Sequence, residues 1–164
     1  YKFLKYFTFL DVEEIDVIER SDSERTGRPE AQTVLAREVT RLVHGQDGLR
    51  AAERITESLF AGTIATLTET DVLQLRQDGL PATTIERKQF PETLTQMLTD
   101  AGMASSGKQV KDALGNNAVT VNNRILGLDD NGGVAACFPP AEALFGRFYL
   151  VKLGKKKYHL FELR

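Results

Sequence analysis

Cysteine is almost missing from this chain: Cys137 is the single one in 164 residues. No intrachain disulfide can form and no cysteine-based zinc site exists, which fits a reducing compartment. Long apolar runs are missing too, since stretches such as Val134 to Phe138 span a few residues against the roughly 20 that cross a bilayer as a helix. Histidine is scarce. His44 and His159 stand more than a hundred positions apart, with no neighbouring thiol to complete a metal or base-nucleophile set. Each has a plainer reading, His44 as a last-turn helix residue and His159 as a polar position in the alternation Tyr158, His159, Leu160, Phe161. Gly107-Lys108 lacks both the upstream glycine and the following Ser or Thr of a phosphate loop, so nucleotide binding is not expected there. The chain also opens at Tyr1 without an initiator Met, inside an amphipathic segment. It is expected to be a piece of a longer protein, whose targeting segment would lie outside it.

The composition that remains is that of a folded protein: 18.2 kDa, 41% hydrophobic, 27% charged, net charge −2. One compact domain or two small ones would account for the length. Charge is unevenly divided. Residues 1–80 carry 10 Lys+Arg against 15 Asp+Glu, and residues 81–164 carry 11 against 8. A pI near 5.8 argues against an indiscriminate nucleic-acid binder, while the basic half suits a focused anion-binding patch. The acidic group Asp11, Glu13, Glu14, Asp16 and Glu19 reads as a solvated helix face, because the helix dipole favours carboxylates near its start.

Residues 1–80 read as helices. Asp11 with Glu14 forms a capping box for Val12 to Arg20. Pro29 suits a first helical position, and Val34, Leu35, Val39, Leu42 and Val43 make an apolar stripe that ends before Gly45. Asp47 then caps Gly48 to Ala61, with Gly62 as its stop, so two antiparallel helices are expected. Thr68 with Asp71 opens a further helix that ends near Gly79. Residues 81–91 have no sustained period and hold two prolines, which marks a linker. Beyond it, Glu92 to Ala101 and a helix capped by Ser105 or Ser106 form a helix-turn-helix. A short strand covers Ala118 to Asn122, and a turn at Asp129 to Gly133 lies in a longer connection. Strands Phe148 to Leu153 and Tyr158 to Leu163 form a hairpin around Gly154 to Lys157. The expected class is α+β: a helical domain at 1–80, the linker 81–91, and a small helix-turn-helix plus β-hairpin domain at 92–164.

The residues suited to a ligand are cationic and suit an RNA backbone. Lys108 and Lys111 are three apart and emerge on one helix face. Arg124, Arg147, Lys155, Lys156 and Lys157 add separated positive points, and Ser105 and Ser106 add hydroxyls at a helix start. Phe148, Tyr149, Tyr158 and Phe161 read as hairpin packing rather than base-stacking platforms.

These same residues carry a family resemblance. YKFLKYFTFL at 1–10, LAREVTRLVHG at 35–45, GLRAAERITESLFAG at 48–62 and FGRFYLVKLGKKKYHL at 145–160 occur in order, and the chain resembles the carboxy-terminal region of bacterial-type tyrosyl-tRNA synthetases. The resemblance implies an anticodon-side helical domain followed by an RNA-binding domain similar to that of ribosomal protein S-four. Within SSGKQVKDALGNNAVTVNN it places Ser106, Lys108, Gln109 and Lys111 on the RNA-facing helix and Val121-Asn122 on the next strand. It implies tyrosine tRNA as partner and a catalytic domain outside this chain. That domain would bind ATP and tyrosine and form the homodimer, while this chain carries no cofactor of its own and no catalytic residue, and does not cross a membrane. The His-Ile-Gly-His-like and Lys-Met-Ser-Lys-Ser-like signatures are absent from the 164 residues.

Two departures stand out. Asn117 and Asn123 occupy positions where the family usually has glycine, and asparagine is the next residue able to turn left-handed. The connection 124–144 is longer than in bacterial relatives. Both features tilt the expected source toward the mitochondrial matrix over a bacterial cytoplasm, and the longer connection leaves room for group I intron RNA as a second ligand, which the resemblance to mitochondrial members of the family implies. A third expectation is a structural docking module without RNA contact.

Overall fold

A computed structural model describes residues 1–62 and 64–164, which divide into two compact units, Tyr1–Glu57 and Ser58–Arg164.

The first unit is helical, with α1 (Lys2–Phe7), α2 (Val12–Glu24) and most of α3 (Glu30–Ala61). The start of α2 is as expected, because the Asp11 backbone N–H donates to the Glu14 carboxylate at 2.9 Å. Its end lies a turn beyond the expected Arg20. In α3 the helix breaks at Gly45, whose φ of 72° is open to glycine and costly for other residues. The two limbs then run back along each other: Arg37 Nε lies 2.8 Å from Glu53 Oε1. A cleft of about 770 Å³ separates Ala36 and Thr40 on one limb from Leu49 and Thr56 on the other. Their apolar stripe is only partly closed. Val34, Leu35 and Val39 are half-buried, while Leu42 and Val43 are exposed, as are Phe3, Phe7 and Phe9.

The second unit holds α4 (Glu69–Gln77), β1 (Ala82–Ile85), α5 (Leu94–Asp100), α6 (Gly107–Gly115), β2 (Val119–Val121) and β3 (Arg124–Leu126). It ends with α7 (Val134–Cys137), β4 (Phe148–Leu153) and β5 (Lys157–Leu163). The strands form one sheet in the order β1-β5-β4-β2-β3, with β1 parallel to β5 and the other pairs antiparallel. Leu94, Met97 and Leu98 of α5 and Val110 and Leu114 of α6 cover one sheet face, meeting Val121, Tyr149, Val151 and Phe161. The two helices approach closely at Gly107, where a Cβ would fall 2.7 Å from Thr95 Cγ2. Phe148, Leu150, Leu160 and Glu162 alternate onto the opposite face and are buried as well. The whole chain is thus α+β, as the sequence predicts.

The position of the boundary differs from the expected one. Compactness divides the chain at Glu57/Ser58 rather than at residue 80, and 81–91 contributes an edge strand rather than a linker. Residues 58–80 are tied to the sheet of the second unit. The Tyr158 hydroxyl donates to Leu59 O at 2.8 Å, Asn123 Nδ2 donates to Gly62 O, and Arg76 and Arg147 pair with Glu162 and Glu69 at 2.9 Å each. The connection 124–144 is also structured: besides β3 and α7 it places Val134, Cys137 and Phe138 in the core. Asn117, Asn122 and Asn123 have φ of 53°, 46° and 70°, so asparagine does make the left-handed turns expected of it.

Candidate nucleic-acid interface

The helix that carries Lys108 and Lys111 is defined by its cap. The Ser106 hydroxyl accepts the Gln109 N–H at 3.4 Å, and the Gln109 side-chain oxygen accepts the Ser105 N–H at 3.0 Å and its hydroxyl at 3.2 Å. The Gln109 side chain thus reaches past the N-cap Ser106 to the residue before it, so Ser105, Ser106 and Gln109 are engaged in building the helix start. Lys108 and Lys111 are exposed one turn apart on the side away from Val110 and Leu114.

Two hydrogen bonds seat the hairpin tip beside this helix. Lys157 Nζ donates to Met103 O at 3.1 Å, in the α5–α6 turn, and the Gly154 N–H donates to Ala118 O at 2.7 Å, just past α6. Lys155 and Lys156 at the tip are exposed and have no hydrogen-bond or ion-pair partner among the described residues. The tip that carries Lys155 and Lys156 is thus bonded to the residues that flank α6, the helix of Lys108 and Lys111. Lys157, next to Lys156, has its ammonium committed to a backbone carbonyl, and Lys152 lies 5.4 Å above the Tyr158 ring.

Arg124 and Arg147 are placed otherwise. Arg124 pairs with Glu142 at 3.1 Å and donates to Ala136 O and Cys137 O at 3.2 and 2.8 Å, capping the carbonyl end of α7. Arg147 pairs with Glu69, lies 4.7 Å from the Phe148 ring centroid, and holds a buried Nε 4.0 Å from Glu162. The six residues of β4 separate it from the tip, roughly 20 Å at strand rise. Both guanidinia are therefore part of the fold's internal pairing rather than free cationic points. Charge read along a sequence does not reveal such partners, which lie 18 and 78 residues away.

The stacking candidates are mostly inside. Phe148, Tyr149 and Phe161 are buried, and Tyr158 is half-buried. His159 is buried too, not the surface position its alternation suggests, because both sheet faces are covered; its Nε2 lies 2.8 Å from Thr83 Oγ1. Among the described residues no three His, Cys, Asp or Glu side chains gather in a metal-binding group. Cys137 is buried, and burial pushes its thiol up to about 11.

Two buried groups couple stability to pH. Burial holds His159 below its usual 6.5. For Glu162 burial acts upward, but the Arg76 hydrogen bond and the charges of Arg164 and Arg76 outweigh it and hold the carboxyl below 4.5. In each case the unfolded chain binds the proton more readily, so acid favours unfolding. Stability is expected to fall as pH drops below about 6.5, through His159, and again below about 4.5, through Glu162. Urea unfolding at pH 7.5 and 5.5 measures the first step, and His159→Phe should flatten it.

Comparisons with known proteins cover both units. Residues 71–161 match the profile of the "Tyrosine--tRNA ligase SYY-like C-terminal domain", and residues 1–61 match that of "tRNA synthetases class I (W and Y)". The chain belongs to the tyrosine–tRNA ligase family. It is 47% identical over 161 residues to a tyrosine–tRNA ligase of Aliivibrio fischeri, covering 98% of this chain and 36% of that protein. A ligase of Escherichia coli is 43% identical over 160 residues, again with 98% and 36% covered. A solution structure of a tyrosyl-tRNA synthetase C-terminal domain shares 30% identity, covering 62% of this chain and 94% of that one, with a TM-score of 0.42. The chain thus spans about a third of the length of the ligases it matches. These ligases are bacterial and give no support to the expected mitochondrial source.

Proposed function

We propose that this chain is the tRNA-binding portion of a tyrosine–tRNA ligase, positioning tyrosine tRNA for a catalytic domain that this chain does not contain. The observation that carries the reading is the seating of the hairpin tip against the α5–α6 turn, which bonds the segment carrying Lys155 and Lys156 to the residues that flank the helix of Lys108 and Lys111. Four exposed ammonium groups there suit a phosphate backbone, and such contacts give orientation rather than bond making. Arg124 and Arg147 are left out of this surface because their guanidinia are ion-paired within the protein, to Glu142 and Glu69.

The first unit has a different part to play. Its exposed Phe3, Phe7, Phe9, Leu42 and Val43 suit docking against the rest of the ligase, whose ATP, tyrosine and dimer contacts would lie in that remainder. The test is binding of the 164-residue chain to tyrosine tRNA across a salt series. The expected result is affinity that falls linearly on a log-log plot, about 0.9 in slope per duplex phosphate contact. Absence of binding at moderate salt would instead favour a purely structural module, and displacement of the tRNA by a group I intron RNA would favour the splicing ligand.

A further inference from the structure

A cavity of about 550 Å³ lies in the second unit between the C-terminal end of α4, the α5–α6 turn and the β4–β5 hairpin. Its volume is within the roughly 300–1,000 Å³ of small-ligand pockets. Its lining has two characters. Leu75, Leu80 and Met103 supply apolar wall and Tyr158 an aromatic ring, while the polar side holds the Lys156 ammonium, the Lys157 ammonium already bonded to Met103 O, and the Asp78 carboxylate, which accepts from Gln74. The walls are held in place by the unit's own bonds: the Leu80 N–H donates to Leu75 O at 2.9 Å, Lys157 Nζ to Met103 O at 3.1 Å, and the Tyr158 hydroxyl to Leu59 O at 2.8 Å. His159, which also lines it, is held to Thr83.

The geometry points to this cavity as a receptacle for one unpaired nucleotide of the bound RNA. The inference rests on the RNA-binding reading above and adds a site to it. A paired base keeps its faces stacked and its edges occupied, so apolar walls are of use only to a base that has left the stack. An apolar and aromatic enclosure accepts such a base by burying its faces, with tolerance for its identity. The cationic side receives the phosphate that travels with it. Lys156 belongs both to the cavity and to the exposed lysine set, so a strand tracking that set passes the opening.

The chain holds two methionines, Met97 and Met103, which makes the test direct. Both side chains are buried in the core, but Met103 also borders the cavity and Met97 does not. With carbon-13 methyl-labelled methionine in the full chain, a single-stranded RNA hexamer of mixed sequence is expected to shift the Met103 signal and leave that of Met97 unmoved. A blunt RNA duplex is expected to move the Lys108 and Lys111 amides without moving Met103. Leu80→Trp, which fills the cavity from its wall, should weaken hexamer binding about tenfold and leave duplex binding unchanged. If the hexamer perturbs Lys108 and Lys111 while Met103 stays still, or the duplex shifts Met103 as strongly, the pocket is refuted and the RNA surface stands. Unaltered hexamer affinity in a folded Leu80→Trp also refutes it; should that variant not fold, the wild-type methyl signals decide alone. If neither RNA perturbs any signal, both readings fall together.

Discussion

Replacing Phe138 by alanine is expected to lower the unfolding free energy by about 3–5 kcal/mol, the range for deleting a buried ring and leaving a cavity. The ring is 1% exposed. It stacks on Phe90 at 5.9 Å and meets Tyr149 and Phe161 edge-on at 5.2 and 6.0 Å. It therefore joins three separated parts of the chain: the segment before α5, the 124–144 connection and the hairpin. The backbone beside it is fixed by the Tyr149 hydroxyl, bonded to Phe138 O at 3.0 Å and Pro139 O at 2.8 Å, so the neighbours have little freedom to collapse into the space. A domain of about a hundred residues loses roughly 4–8 °C of Tm per kcal/mol, and a fall of well over 10 °C is expected. Urea unfolding monitored by circular dichroism measures it. Ile125→Ala, on edge strand β3 with 59% exposure, is the matched control and should change stability by less than about 0.5 kcal/mol.

The double substitution Lys108→Gln with Lys111→Gln is expected to weaken tyrosine tRNA binding by roughly ten- to a hundredfold near 0.1 M salt, and to lower the log-log salt slope by about 1.5–2. The two ammonium groups lie on the exposed face of α6, whose buried face is set by Val110 and Leu114. Glutamine is shorter by one atom and uncharged but keeps the helix propensity, and both positions are exposed, so the fold should be unaffected. Each lost phosphate contact leaves its counterion on the RNA, which is why slope and affinity must change together. A drop in affinity at constant slope would show that the lysines act through shape rather than charge.

Much of the second unit is legible in the sequence because its signals are local. Thr68 and Asp71 cap α4 reciprocally, at 2.8 and 3.2 Å, and the apolar and aromatic runs 148–153 and 158–163 around a tight bend read as a hairpin. The elements that escape are those whose cause is remote. Ala82–Ile85 is four residues long and gains its strand only from β5, some 78 positions later; beside Pro81 it carries the marks of a linker. β3 and α7 are three and four residues long, too short to show a period.

The candidate site divides along the same line. Lys108 and Lys111 are recognisable because helix geometry fixes their common face. Arg124 and Arg147 are not, because the carboxylates that neutralise them come from Glu142 and Glu69 elsewhere in the chain. The cavity leaves no mark in the sequence at all, since its walls derive from residues 75–81, 101–103 and 156–159.

The most direct measurement is a map of backbone amide shifts in the 164-residue chain on addition of tyrosine tRNA. The expected perturbations fall on 105–111 and 154–156, with the amides around Arg124 and Arg147 unmoved. Perturbation centred on Arg124 and Arg147, with α6 and the hairpin tip silent, would contradict the account.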